Sequence, residues 1–72
     1  MISAPDLSSR ATGALRQSPI PALRKLSVEE SDGTVVISGF VSSYYMKQLA
    51  QETIMPVLDG RELHNRVTVT RH

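Results

Sequence analysis

The stretch from residue 26 to residue 41, LSVEESDGTVVISGFV, decides the fold because it reads as two strands joined by a tight turn. In its first half, Leu26 and Val28 alternate with polar residues, which is the pattern of a half-buried strand. Asp32-Gly33 follows, and Asp-Gly between two alternating runs is a strong hairpin signal because glycine tolerates positive φ. We therefore expect a β-hairpin whose first strand can begin as early as Ala22.

The second strand of this hairpin, Thr34 to Val41, has two faces of different composition. Because side chains alternate along a strand, one face consists of Val35, Ile37, Gly39 and Val41, and the other of Thr34, Val36, Ser38 and Phe40. Gly39 is unusual inside a strand, and two interpretations are open. Either it permits a bulge or the close approach of a helix over the sheet, or it opens the backbone to a ligand.

An amphipathic helix is predicted before the hairpin. Its apolar residues recur at helical spacing, at Leu7, Ala11, Ala14 and Leu15. Pro19 ends this helix, because the residue before a proline disfavours the helical region. The segment 18–21, Ser-Pro-Ile-Pro, then reads as a stiff connector that leads into the first strand.

A second amphipathic helix is predicted after the hairpin, from Tyr44 to about Met55. Ser42 and Ser43 are natural N-caps for it. Its apolar side consists of residues spaced three and four apart, namely Tyr45, Met46, Leu49, Ala50, Thr53 and Ile54. Pro56 is expected to terminate or kink this helix.

A third strand is predicted after a turn at Asp59-Gly60, with Leu63, Val67 and Val69 alternating with polar residues. The order of elements is therefore αββαβ. Because each element has one apolar side, we predict an α+β two-layer sandwich in which two helices pack on one face of a three-stranded mixed sheet. The other face of the sheet would be open to solvent or to a partner.

Length, composition and charge limit what such a chain can be. Its 72 residues leave room for one domain. The absence of cysteine excludes a disulfide framework, a thiolate zinc site and a cysteine nucleophile. A formal net charge of +1 is too balanced to imply nucleic acid or an anionic membrane by bulk charge. We assign a flexible N-terminus to residues 1–6, a single domain to residues 7–70 and a C-terminal tail to residues 71–72.

The hairpin and the elements around it resemble a BON domain, a family named after bacterial osmotic-stress and nodulation proteins. The resemblance spans roughly Leu7 to Val69, and it is carried by segments 26–33, 34–43, 44–50 and 65–69. Its most specific part is the hairpin signature with Gly33 and Gly39. The family also has a glycine turn after its second helix. Gly60 takes that place if the last strand starts one residue early, and Asp59 takes it otherwise.

The resemblance implies an αββαβ sandwich without catalytic activity or a cofactor. Members of the family are generally regarded as attaching proteins to membranes through phospholipid, or as binding ligands or partners, often in the cell envelope. We therefore expect a noncatalytic module that binds a phospholipid membrane surface or a ligand. The alternative, from a different class, is a protein-interaction or self-association module that works through the open sheet face.

The titratable residues form no recognisable catalytic or metal site in the sequence. His64 and His72 are not spaced as metal ligands on one helix face would be. His64 reads as a solvent-facing strand residue, with a metal or acid–base role as the minor alternative. Glu29 and Glu30 are adjacent, so a strand sends them to opposite faces and they cannot act as a pair. We expect no catalytic residue, no metal ion and no cofactor.

The strand face that points away from the predicted helices carries Val36 and Phe40. Its other expected members are Lys25, Ser27, Glu29, Arg66 and Thr68. Clustered exposed apolar residues mark interaction sites, so Val36, Phe40 and Arg66 form a candidate partner face. The alternatives are that the N-terminal segment covers these side chains, or that two apolar side chains are too few to matter.

Tyr44 and Tyr45 open the second helix, where adjacent residues point about 100° apart. One of them can therefore pack inward while the other stays exposed. Tyrosine suits membrane and protein interfaces because its body is apolar and its tip is polar. Lys47 lies one turn beyond Tyr44, and together they form a candidate lipid-headgroup contact. The alternative is an ordinary surface position, because membrane-surface helices usually carry more cations and a larger apolar side.

Positive charge concentrates in the first and last thirds of the chain, at Arg10, Arg16, Arg24, Lys25, Arg61, Arg66 and Arg71. If the outer strands are neighbours, these residues form a diffuse basic patch. RNA-binding modules use aromatic residues on a sheet or a backbone-clamping glycine loop, and Phe40 alone is no such platform. Nucleic acid is therefore the least favoured partner.

The start of the chain has neither the basic segment nor the apolar segment of a secretory signal. No apolar run approaches the ~18 residues of a membrane span. For the chain as it stands we expect a cytoplasmic location. If it is a domain excised from a longer precursor, we expect the periplasm or the cell envelope.

Overall fold

Residues 7–70 are described by a computed structural model. Their elements in chain order are α1 (Leu7–Arg16), α2 (Pro21–Arg24), β1 (Ser27–Ser31), β2 (Thr34–Val41), α3 (Tyr44–Leu58) and β3 (Glu62–Val69). The predicted αββαβ order is confirmed, with a one-turn helix, α2, added between α1 and β1. The predicted flexible N-terminus and C-terminal tail lie outside the described residues.

The sheet is mixed, as predicted, with strand order β1-β2-β3. β1 and β2 pair antiparallel, with Ser31 opposite Thr34. β2 and β3 pair parallel, with Gly39 opposite Val67. The hairpin turn lies at Asp32 (φ 52°) and Gly33 (φ 79°). Positive φ at both central residues is the geometry of the two-residue turn that matches the twist of paired strands.

The helices cover one face of this sheet and enclose the core with it. α1 contributes Ala11 and Leu15, and α3 contributes Ala50 and Ile54 among its buried residues. The buried apolar residues, all at most 7% exposed, are Ala11, Leu15, Leu23, Leu26, Val35, Ile37, Val41, Ala50, Ile54, Leu58 and Val67. The alternation predicted for β2 is confirmed, because Val35, Ile37 and Val41 face this core. The two-layer sandwich is therefore present.

The expectation that the first strand can begin at Ala22 is wrong. Residues Pro21–Arg24 form a helical turn instead, and β1 begins at Ser27. A proline suits the first turn of a helix because its missing N–H has no intrahelical partner there. The Ser18 hydroxyl accepts a hydrogen bond from the Ile20 amide (3.1 Å) just before this turn. Leu23, which is fully buried, anchors the turn in the core.

The expectation that α3 ends near Met55 is also wrong, since the helix continues through Pro56 to Leu58. A proline removes one helical hydrogen bond, but only two helical residues follow it here. Leu58 is 1% exposed and ties the last turn to the core. The helix then closes through Asp59 (φ 54°) and Gly60 (φ 83°). Both residues of the predicted turn therefore adopt the left-handed conformation.

Candidate functional site

Gly39 fixes the geometry at the carboxyl end of β2. Its φ is +137°, and a Cβ added to it would lie 2.6 Å from Leu26 Cδ2 and 3.5 Å from Leu26 Cα. The side chain of Leu26 therefore fills the space over Gly39, and the backbone there is not open to a ligand. This close approach holds the segment between α2 and β1, including Lys25, beside the end of β2.

The carboxyl end of β2 and the start of α3 carry every aromatic residue of the chain. Phe40 is 70% exposed, Tyr44 69% and Tyr45 72%. Ser43 caps α3 by accepting a hydrogen bond from the Met46 amide at 3.2 Å. This cap starts the helix two residues after β2 ends, so that both tyrosines lie at the same end of the molecule as Phe40. We call the region formed by Phe40, Tyr44 and Tyr45 the aromatic end.

The placement of Tyr45 on the apolar side of the helix is wrong, and neither tyrosine packs inward. The inward line of α3 runs through Met46, Ala50, Ile54 and Leu58, which are spaced four apart and are half-buried or buried. Tyr45 precedes this line by one residue and so points about 100° away from it. Both tyrosines are consequently available for contacts outside the domain.

Charge is distributed unevenly along the molecule. Among residues 7–70, every Asp and Glu lies within segments 29–32 and 52–62. Most of these carboxylates flank the hairpin turn and the turn between α3 and β3, which are neighbours because Thr34 pairs with Glu62. We call this region, residues 31–34 and 59–62, the hairpin end. It lies ~20 Å from the aromatic end, because six residues of strand separate Thr34 from Phe40.

Within residues 7–70, the aromatic end has cations beside it and no carboxylate side chain. Arg24 and Lys25 are exposed at the end of α2, and Lys47 is half-exposed in α3, one turn beyond Tyr44. The nearest carboxylates are Glu29, four residues from the level of Phe40 in the sheet, and Glu52 in the middle of α3. The molecule is therefore polarised, with a cationic aromatic end and a mostly anionic hairpin end.

Asn65 joins α3 to β3 and thereby positions the aromatic end. Its Nδ2 donates to the Lys47 carbonyl at 2.9 Å and to Gln51 Oε1 at 3.4 Å. Its Oδ1 accepts a hydrogen bond from the Val67 amide at 3.1 Å. In the sequence, Asn65 stands out only as part of the family resemblance. The signal that could have identified its role is its position, because it is a polar residue on the inward-facing side of a strand whose other inward residues are apolar.

We expect Asn65→Ala to lower the free energy of unfolding by about 2 kcal/mol, because it removes these bonds and leaves the partly buried Val67 amide without its acceptor. Urea unfolding followed by circular dichroism measures the loss. The matched control is Thr68→Ala, an exposed position on the same strand, for which a change within ~0.5 kcal/mol is expected. Equal effects of the two substitutions would show that the Asn65 bonds contribute nothing.

The outer side of the sheet, which we call the open face, bears no helix. Val36 is half-buried there and Phe40 is exposed, both on the central strand β2. Arg66 of β3 is exposed on the same face, since it pairs with Ser38. The structure thus places Val36, Phe40 and Arg66, predicted as a partner face, on one surface. His64 is exposed on this face, with Nε2 2.6 Å from Glu62 Oε2.

The condition for a diffuse basic patch, that the outer strands are neighbours, is not met. The outer strands β1 and β3 are not neighbours, because β2 lies between them. Lys25 accordingly lies beside β1, Arg66 lies on β3 and Arg61 lies at the hairpin end. Arg71 falls outside the described residues, as does His72.

Residues 7–70 contain no cluster of three His, Cys, Asp or Glu residues arranged to hold a metal ion, and they enclose no pocket. None of the helices among these residues has the length and the apolar run that crossing a membrane requires.

A family model described as BON domain matches residues 3–71, essentially the whole chain. No curated protein matches the sequence.

Proposed function

We propose that this chain, which belongs to the BON domain family, binds phospholipid membrane surfaces through its aromatic end. Members of this family are generally noncatalytic binding domains. BON domains are thought to bind phospholipids. The observation that best supports this role here is the exposure of all three aromatic side chains at one end that, within residues 7–70, has cations beside it and no carboxylate side chain. The protein itself would act without catalysis, by attaching to a membrane surface.

The aromatic side chains supply the apolar part of this interaction. Phe40 is 70% exposed to water, and moving such a side chain out of water is favourable by about 1.5–3 kcal/mol. Tyr44 and Tyr45 suit the headgroup level of a bilayer, because their rings are apolar and their hydroxyls remain hydrated. Three such side chains are enough for weak, reversible attachment.

The cations of the aromatic end supply a preference for anionic lipid. A Lys or Arg near an anionic membrane surface contributes about 1 kcal/mol, and Arg24, Lys25 and Lys47 all lie at this end. The carboxylates of the hairpin end lie ~20 Å away along the strands. That distance exceeds the Debye length of ~8 Å at physiological ionic strength, so their repulsion is screened.

This arrangement implies a defined orientation on the membrane. The aromatic end lies at the carboxyl end of β2 and the amino end of α3, so the strands would stand upright and the hairpin end would point away from the lipid. α3 would touch the surface with its first turn only. A helix lying flat would need a longer apolar side and more cations than α3 has.

Vesicle flotation of the whole chain tests the proposal. We expect the protein to float with vesicles containing phosphatidylglycerol at low ionic strength, and to float poorly with pure phosphatidylcholine vesicles or at higher ionic strength. Lys25→Glu combined with Lys47→Glu should reduce anionic flotation at least about tenfold, the equivalent of ~1.4 kcal/mol.

Arg61→Glu is the control, because it reverses a cation at the hairpin end instead of at the aromatic end. It should float like the unmodified chain. Absence of flotation with either lipid would contradict the proposal, and so would an equal loss in the Arg61→Glu control.

The second candidate function is a protein-interaction module that uses the open face. It is favoured by one specific observation, the exposure of Phe40 on the same face of the central strand as the half-buried Val36, with Ser38 between them. Solvated sheet faces are normally polar, so an apolar pair in this position calls for a covering surface.

A further inference from the structure

β3 lies at an edge of the sheet, and the hydrogen bond just beyond its end shows which of its backbone groups face outward. Among residues 7–70, no strand lies on the far side of β3 from β2. In a parallel pair, every second residue directs its N–H and C=O at the neighbouring strand. The Thr70 N–H donates to the Val41 carbonyl at 2.8 Å, so the even-numbered residues of β3 face β2. The odd-numbered residues therefore direct their N–H and C=O groups to the free edge, namely Leu63, Asn65, Val67 and Val69.

The free edge of β3 differs from the edge formed by β1. β1 has only five residues, and Glu30 points inward from it because it stands opposite the buried Val35. Short edge strands and inward-pointing charges both discourage the pairing of another strand. β3 is eight residues long, and its inward-facing residues carry no charge. A strand of this length with unpaired backbone groups is the usual site of strand addition.

Asn65 occupies the middle of the free edge of β3. Its Oδ1 accepts a hydrogen bond from the Val67 N–H at 3.1 Å, and this N–H is one of the four that face outward. Its Nδ2 donates to the Lys47 carbonyl at 2.9 Å and to Gln51 Oε1 at 3.4 Å, so α3 holds the amide in place. An added strand could therefore bond to the Val67 N–H only after the Asn65 side chain had left it.

The Val67 N–H is needed whenever most of β3 pairs antiparallel with β3 of a second copy. In such a pair, the outward-facing residues must stand opposite one another to exchange hydrogen bonds. Two registers then pair seven residues of Glu62–Val69. In one of them the Val67 N–H donates to the Leu63 carbonyl of the second copy, and in the other it donates to the Asn65 carbonyl. A register that spares this N–H pairs five residues at most.

We infer that Asn65 keeps the free edge of β3 closed, and that a chain without this amide pairs β3 with β3 of a second copy. The occupant is a second copy because this edge fits itself. In the register centred on residue 65, Leu63 stands opposite Val67 of the second copy, and the two form an apolar cross-strand pair on the core side of the sheet. The same pair forms twice by symmetry. The inference is independent of the membrane proposal, because it concerns the edge of the sheet.

Analytical ultracentrifugation of the whole chain, without lipid, tests the inference. The unmodified chain should sediment as a monomer up to about 1 mM, whereas Asn65→Val should form a reversible dimer with a Kd on the order of 100 µM or lower, a gain in affinity of at least about tenfold. Valine has neither the oxygen that accepts the Val67 N–H nor the donor to α3, and it favours strand pairing.

Asn65→Asp is the matched control. Aspartate keeps an oxygen that can accept the Val67 N–H, but it has no N–H to donate to the Lys47 carbonyl. It should therefore unfold at a lower urea concentration than the unmodified chain, as Asn65→Val should at protein concentrations below its Kd, and yet remain a monomer. The comparison separates the closing of the edge from a general loss of stability.

Hydrogen exchange identifies the surface through which Asn65→Val associates. In the dimer, the amides of Leu63 and residue 65 should exchange at least about tenfold more slowly than in the unmodified chain, because each becomes hydrogen-bonded to the second copy. Amides of the even-numbered residues of β3 should change little, since they already face β2.

Three results would overturn the inference. The first is an Asn65→Val chain that stays monomeric at the highest concentration, and the second is an unmodified chain or an Asn65→Asp chain that dimerises as strongly. The third is a dimer of Asn65→Val without slower exchange at Leu63. Since no vesicle is present, none of these outcomes bears on membrane binding.

Discussion

Gly39→Ala is expected to lower the free energy of unfolding by about 3–4 kcal/mol. Two effects add together. A φ of +137° is strained for any residue with a Cβ, which costs about 1–3 kcal/mol. The new methyl group would also lie 2.6 Å from Leu26 Cδ2, and overpacking of this kind costs about 1–3 kcal/mol. Natural domains of this size have only ~4–11 kcal/mol in total, so the loss is a large part of the stability.

Urea denaturation of the variant measures this loss, and Gly13→Ala is the matched control. A Cβ at Gly13 would meet nothing within 4 Å, and Gly13 lies inside α1. Alanine should therefore stabilise the helix by up to about 1 kcal/mol. If Gly39→Ala unfolds at the same urea concentration as the unmodified chain, Leu26 does not pack over Gly39 as described.

Replacing Phe40, Tyr44 and Tyr45 together with serine is expected to weaken binding to anionic vesicles by at least about 100-fold, since each ring withdrawn from the interface loses 1 kcal/mol or more. All three side chains are at least 69% exposed, so the domain itself should keep its fold. Flotation with increasing lipid measures the change, and circular dichroism measures the fold.

Met55→Ser is the control for this triple variant. Met55 is also an exposed apolar residue of α3, at 50%, but it lies near the other end of the helix. It should bind vesicles like the unmodified chain. Vesicle binding by the triple variant at the unmodified level would exclude the aromatic end as the lipid contact. An equal loss of vesicle binding in Met55→Ser would show that any exposed apolar side chain contributes to binding, and not the aromatic end in particular.

The hairpin and the layer arrangement could be predicted because their signals are local. Alternation with period two marks β2, and Asp32-Gly33 marks the turn at which two strands must pair. The departures come from tertiary packing. Leu23 buries a helical turn where a strand was expected, and Leu58 holds α3 together beyond Pro56. Short elements of this kind depend on what they pack against more than on their own propensity.

The candidate site was only partly visible in the sequence. Phe40 and Tyr44 were recognised as unusual, but they were assigned to separate surfaces. Their union in one aromatic end depends on the short connection from β2 to the capped start of α3. The segregation of the carboxylates depends on strand order, which brings the two acidic turns together. The pairing of the two acidic turns is long-range, and the union of the aromatic residues, although local in the chain, depends on the direction in which α3 leaves β2 to pack on the sheet.

The most direct test of membrane binding by the aromatic end is an NMR measurement on the folded chain with anionic vesicles that contain a spin-labelled lipid. Backbone amides near the label lose intensity. We expect the losses to be confined to Lys25, residues 40–47 and the carboxyl end of β3 at residues 68–70, which pairs with the end of β2, with Gly33 and Gly60 unaffected. Losses centred on the hairpin end, or spread evenly over the open face from Thr34 to Phe40, would contradict the proposed contact.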